Sequence, residues 1–173
     1  MSEPSQADGA LVHFSERLAN SAAFGNLFRE GMDLVEETAA YLDGVGRAEA
    51  RALDRPASLT YATESMRLTT RLMQLASWLL LHRAVKEGEM TLNQANREKT
   101  KVKLSAADPG PTEMVAKLPV QLQDLIARSM SLQTRVRRLD STMHASSSEG
   151  PAAIGNPLVP QLNALKAAFE QEA

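Results

Sequence analysis

Cysteine is absent from the 173 residues. That excludes disulfides, thiolate nucleophiles and thiolate metal sites, and it fits a reducing compartment. Aromatic residues make up only 4%, with a single Trp, so a nucleic-acid surface built on base stacking is poorly supplied. Histidine is scarce: His13, His82 and His144 lie in three separate segments. Neither ExxH nor HExxH occurs, which removes di-iron and zincin sites. GxSxG, GxGxxG and P-loop patterns are missing as well, and "GVGRAE" at Gly44–Glu49 reads only as a Gly-rich turn. Charge of one sign is not in excess: the net is −2, with no global pull towards nucleic acid. Long hydrophobic runs are lacking too. "LMQLASWLLLH", between Arg71 and Arg83, falls short of the roughly 20 apolar residues needed to span a bilayer. The opening "MSEPSQADGALVHF" has no basic n-region and does not read as a secretory signal. Asp33 and Glu37 share a helical face, but a solvated surface accounts for them, and adjacent Glu36 and Glu37 project about 100° apart. The sequence therefore predicts a cytoplasmic protein with no membrane span, no cofactor, no metal and no enzymatic activity.

What is present is helical periodicity. Apolar residues are 43% of the chain, enough for a core in a body of this size. Phe24, Leu27, Phe28, Leu34, Val35, Tyr41 and Leu42 follow helix spacing. They predict helix one over 21–42, with Ser21 as N-cap and Asp43–Gly44 as its stop. Residues 44–57 form a connector with a short helix in its middle. Ser58 is the expected cap of helix two, which runs to about Glu87 before Gly88. Helix three is expected from Leu118 or Pro119 to Met143. Its seam of Leu118, Leu122, Leu125, Ser129, Leu132, Val136, Leu139 and Met143 alternates steps of four and three, the heptad of a long packed helix. The fold class is thus all-α: a three-helix bundle with long helices, a short helix in the connection between helices two and three, and a disordered C-terminal tail. The expected organisation is an N-terminal arm at 1–20, partly disordered, the bundle at 21–143, and a flexible tail at 144–173.

Helix two carries more apolar surface than one packing partner requires. On a helical wheel, Leu59, Ala62, Met66, Met73, Leu80 and Ala84 gather on one side, and Tyr61, Leu68, Leu72, Leu75 and Leu79 on a second. Two stripes imply two neighbours, either two helices of the same chain or one helix and a second subunit. The second stripe is the candidate dimer or core stripe. A polar ridge of Glu64, Arg67, Arg71, Gln74 and His82 fills another sector, and Trp78 points along it. Trp and Arg are over-represented in binding hot spots, so Arg67, Arg71, Trp78 and His82 are candidate partner-binding residues. Cover by the following connection is the alternative for Trp78.

That connection, 88–117, is longer than bundle loops usually are. "TLNQANRE" places Thr91 three residues before Gln94, a capping box that predicts a short helix. "KTKVKL" alternates Lys99, Lys101 and Lys103 with Thr100, Val102 and Leu104, the one strand-like signal. The segment reads either as a strap over the bundle or as a partner-binding loop using those three lysines. After Met143, "HASSSEGPAAIGNPLVP" has little to bury. Beyond it Leu158, Leu162, Leu165 and Phe169 are spaced four, three and four. They give a short amphipathic segment at 158–169 suited to a groove on another protein or on the bundle itself.

Arg128, Arg135, Arg137 and Arg138 make helix three basic, but the long seam and the acidic balance argue against nucleic acid. The strings "FREGMDLVEETAAYLDGVGR", "YATESMRLTTRLMQLASWLLLHRAVKEGEMT", "EKTKVKL" and "LQTRVRRLD" resemble the RcdA family, alphaproteobacterial regulators of CtrA degradation, from about Phe24 to Asp140. The resemblance implies a homodimeric three-helix bundle and a non-enzymatic adaptor for the ClpXP protease. It implies as partners the receiver-domain protein CpdR, a PopA-like cyclic-di-GMP-binding protein and a CtrA-like cargo, with clustering at a cell pole. The alternative is a homodimeric helical regulator of another protein or of DNA, with no role in proteolysis.

Overall fold

The computed structural model describes the backbone of residues 6–101 and 110–148 and the side chains of residues 21–99 and 110–143. Among these residues every regular element is a helix: α1 (Gln6–Asp43), α2 (Val45–Arg51), α3 (Arg55–Lys86), α4 (Leu92–Lys101), α5 (Thr112–Val115) and α6 (Val120–Ser148). The three long ones are the expected helices one, two and three, and α4 is the expected short helix of the connection.

The chain divides into two compact units at Val136/Arg137, inside α6 and earlier than the expected border at 143. In the first unit α1, α3 and α6 meet around a leucine core. Leu34, Leu68, Leu75, Leu79, Leu122, Leu125 and Leu132 are at most 1% exposed. The heptad seam is that core, since Leu118, Leu122, Leu125, Ser129, Leu132 and Val136 are all buried. In the second unit Leu139 and Met143 are half-buried, and the Ser141 and Thr142 hydroxyls donate to the Arg138 carbonyl. The "KTKVKL" string does not begin as a strand: Lys99, Thr100 and Lys101 close α4, and the remainder lies outside the described residues.

Helix ends moved for identifiable reasons. Asp54, not Ser58, caps α3: its Oδ1 accepts from Ala57 N at 2.9 Å. Pro56 then sits in the first turn, where no amide is needed, so the proline read as connector belongs to the helix. Ser21 caps nothing, because α1 already runs through it from Gln6. Residues 6–20 are helical and continuous with the rest of α1. α6 likewise passes Met143 to Ser148, into the region expected to be tail.

Two connections fix how the long helices meet. At the α1–α2 corner Tyr41 Oη donates to Glu49 Oε2 at 2.6 Å, and a Cβ at Gly46 would lie 2.7 Å from Tyr61 Oη. Between α3 and α4 the capping box is realised reciprocally: Gln94 N donates to Thr91 Oγ1 at 3.2 Å, and Thr91 N to Gln94 Oε1 at 2.9 Å.

Candidate functional site

Four residues expected on an exposed ridge of α3 have different fates. Arg71, Trp78 and His82 are buried, at 2%, 1% and 5% exposure, and only Arg67 reaches solvent appreciably, with 39% of its side chain exposed. The ridge turns inward because α6 and the connection occupy its sector. Arg71 Nη1 donates to Ser129 Oγ of α6 at 2.8 Å, and that hydroxyl donates to the Ile126 carbonyl at 2.7 Å. Glu64, 2% exposed, pairs with Arg67 at 2.5 Å, and Gly110 packs so closely on the pair that a Cβ there would overlap Glu64 Oε1. Trp78 stacks on His82 with centroids 4.0 Å apart and meets Phe24 of α1 at 6.3 Å. Burial pulls the Arg71 guanidinium below its ordinary pKa, against the Coulombic pull of Glu64. The closed arrangement is thus a buried polar and aromatic seam.

Of the three lysines, Lys99 is half-buried on α4. Lys101 ends that helix, with its side chain outside the described residues, and Lys103 lies wholly outside them. So do Leu158, Leu162, Leu165 and Phe169. The candidate dimer or core stripe resolves as core: Leu68, Leu72, Leu75 and Leu79 are buried and Tyr61 half-buried.

The surface that remains open on α3 is the other stripe. Leu59, Met66, Met73 and Leu80 are 72%, 72%, 67% and 53% exposed and recur at every seventh residue. Small residues Ala62, Thr69 and Ala76 lie between them. From Pro56 to Leu81 every exposed residue of α3 is uncharged, because the three charges in that span, Glu64, Arg67 and Arg71, are buried or half-buried on the other side. Even the hydroxyls are turned away: Thr63, Thr69 and Ser77 donate to the carbonyls of Leu59, Ser65 and Met73 at 3.0, 2.8 and 2.8 Å. An open groove of about 310 Å³ between α1 and α3, lined by Val35, Ala39, Leu42, Leu72, Met73 and Ala76, adjoins this face through Met73. A charge-free heptad was the signal available in the sequence for these residues. Choosing which of two stripes stays open requires knowing where α1 packs.

By contrast, the outer surfaces of α1 and α6 are ionic. Arg128 pairs with Glu37 at 2.7 Å, and Arg135 pairs with Glu30. Among the described residues no group of three or more His, Asp or Glu is placed to hold a metal, and no helix is long and apolar enough to cross a membrane.

Comparison with known proteins agrees with this architecture. The family described as "Protein of unknown function (DUF1465)" matches residues 15–169. No curated protein matches the chain. Among solved structures, the crystal structure of RcdA from Caulobacter crescentus CB15 is similar at 53% sequence identity and a TM-score of 0.58, covering 69% of this chain and 89% of that one. At that identity the two share one helical scaffold, and the chain belongs to the RcdA family.

Proposed function

We propose that this chain is a non-enzymatic adaptor that helps deliver cell-cycle regulators such as CtrA to the ClpXP protease, acting as a homodimer. The observation that carries the reading is the charge-free face of α3. Its four large side chains are 53–72% exposed, and a contiguous apolar face of this kind marks interaction sites. Their heptad spacing is self-complementary for a second copy of α3. Membership of the RcdA family supports the choice of cargo and protease. A dimer leaves the ionic α1–α6 surface for other proteins: a CpdR-like receiver, a PopA-like protein, the protease and a CtrA-like cargo, assembled at a cell pole. The segment carrying Leu158, Leu162, Leu165 and Phe169 supplies a tethered recognition element in this reading.

Reconstituted proteolysis tests it. Adding the full chain, with the receiver and PopA-like proteins, to ClpXP is expected to accelerate degradation of a CtrA-like substrate. A chain ending at Ser148 is expected to keep its melting temperature and lose that acceleration. An unchanged degradation rate with the full chain would overturn the adaptor reading. An equal rate with the shortened chain would remove the tail from it.

A further inference from the structure

Sulfur in this chain is confined to thioethers. Cysteine is absent and methionine occurs 8 times, so an oxidant meets no thiol that would consume it first. Exposure then ranks the methionines. Met66 and Met73 of α3 are 72% and 67% exposed, whereas the other described ones, Met32, Met90, Met114, Met130 and Met143, are half-buried. The exposed pair lies two turns apart on one helical face, between Leu59 and Leu80. It therefore holds the centre of the open stripe, where an interface concentrates its energy. Met73 lines the groove between α1 and α3 beside Leu72 and Ala76. Met66 lines a shallow hollow of about 280 Å³ with Ser65, Thr69 and Thr70. The core beneath is made by Leu68, Leu72, Leu75 and Leu79, so a chemical change at either sulfur alters the surface and leaves the bundle intact.

We propose that Met66 and Met73 are a modification site for hydroperoxides, and that their conversion to sulfoxides releases the α3 face from a second copy of this chain. The peroxide transfers one oxygen atom to each sulfur. Its O–O bond breaks and an S–O bond forms at the expense of a sulfur electron pair. The proton of the transferred oxygen passes to the leaving oxygen, which departs as alcohol or water. The sulfoxide is polar and demands hydrogen bonds that an apolar partner face does not supply. The nearby Thr63, Thr69 and Ser77 hydroxyls already donate to carbonyls of their own helix. The coupling is reciprocal: a second copy seated on the face shields both sulfurs, so oxidation proceeds through the monomer. The inference rests on the dimer reading above and adds a redox control to it.

Dilute hydrogen peroxide acting on the full chain tests this. Peptide mass mapping is expected to find oxygen on Met66 and Met73 about tenfold sooner than on the half-buried methionines. Light scattering is expected to show the dimer giving way to monomer, with its dissociation constant raised about a hundredfold, while helical circular dichroism is unchanged. Methionine sulfoxide reductases for both sulfoxide epimers should restore the dimer. Met66→Leu/Met73→Leu keeps size and apolarity, so it should dimerise and ignore peroxide. Met66→Gln/Met73→Gln should be monomeric without any peroxide. Equal rates of oxidation at the half-buried methionines overturn the site. A wild-type dimer that persists with both residues oxidised, or Met66→Leu/Met73→Leu dissociating in peroxide, overturns the switch and leaves the dimer standing. Untreated wild type at monomer mass overturns the dimer reading, and the switch falls with it.

Discussion

A carboxylate placed at Leu125 has no solvent to reach, since the position is 0% exposed in the middle of the α6 seam. Leu125→Asp is expected to cost several kcal/mol, a large share of a typical stability of about 5–15 kcal/mol, and to abolish cooperative thermal unfolding. Tyr41 predicts a different sensitivity. Burial first, and then the hydrogen bond to Glu49, push its phenol above the ordinary 10.0, and Tyr61 is raised too, chiefly by burial. A raised folded pKa gives stability that is full below the unfolded pKa and declines as pH rises beyond it. Melting temperature is therefore expected to fall above pH 10, and less steeply in Tyr41→Phe. Trp78→Ala, at 1% exposure, is expected to cost about 3–5 kcal/mol as a cavity mutation, measured by urea denaturation. The sequence placed Trp78 correctly beside Arg71 and His82 on one ridge. It could not show that α6 supplies Ser129 to that ridge, because a wheel describes one helix and burial depends on its neighbours.

At the scale of the element, helix identity was legible and helix ends were not. The α6 seam is written in large residues at heptad spacing, which nothing local can imitate. The ends depend on single contacts. Asp54 outcompetes Ser58 because Pro56 tolerates the first turn only if the cap precedes it. Asp54→Ala is expected to cost about 1 kcal/mol, read by thermal melting. The two stripes of α3 were legible as a pair, but the open one is opposite to the Tyr61, Leu68, Leu72, Leu75 and Leu79 stripe because Leu79 seats on Gly31 of α1 and draws its whole face inward. Met66→Glu and Met73→Glu, both on the exposed face, are expected to leave melting of the monomer within about 0.5 kcal/mol. They are expected to convert a dimer of twice 18.8 kDa to monomer by light scattering. Wild type at monomer mass at tens of micromolar would sink the dimer.

For the molecule as a whole, its two kinds of surface answer to different conditions. The Arg128 hydrogen bond holds the Glu37 carboxyl below its ordinary 4.5. A depressed folded pKa gives stability present above the unfolded value and lost as pH falls through the folded one. The α1–α6 link is thus expected to weaken in acid below that range, and Glu37→Gln to flatten the acid limb of the melting profile. High salt screens the same exposed pairs.

The open face of α3 has no such handle. Its charges lie on the far side, and the Thr63, Thr69 and Ser77 hydroxyls are bonded to its own backbone. Joining two such faces is a transfer of oil from water, driven near room temperature by solvent entropy and weakening on cooling. The proposed dimer is therefore expected to dissociate further on cooling, and to be strengthened rather than screened by sulfate, both read by light scattering.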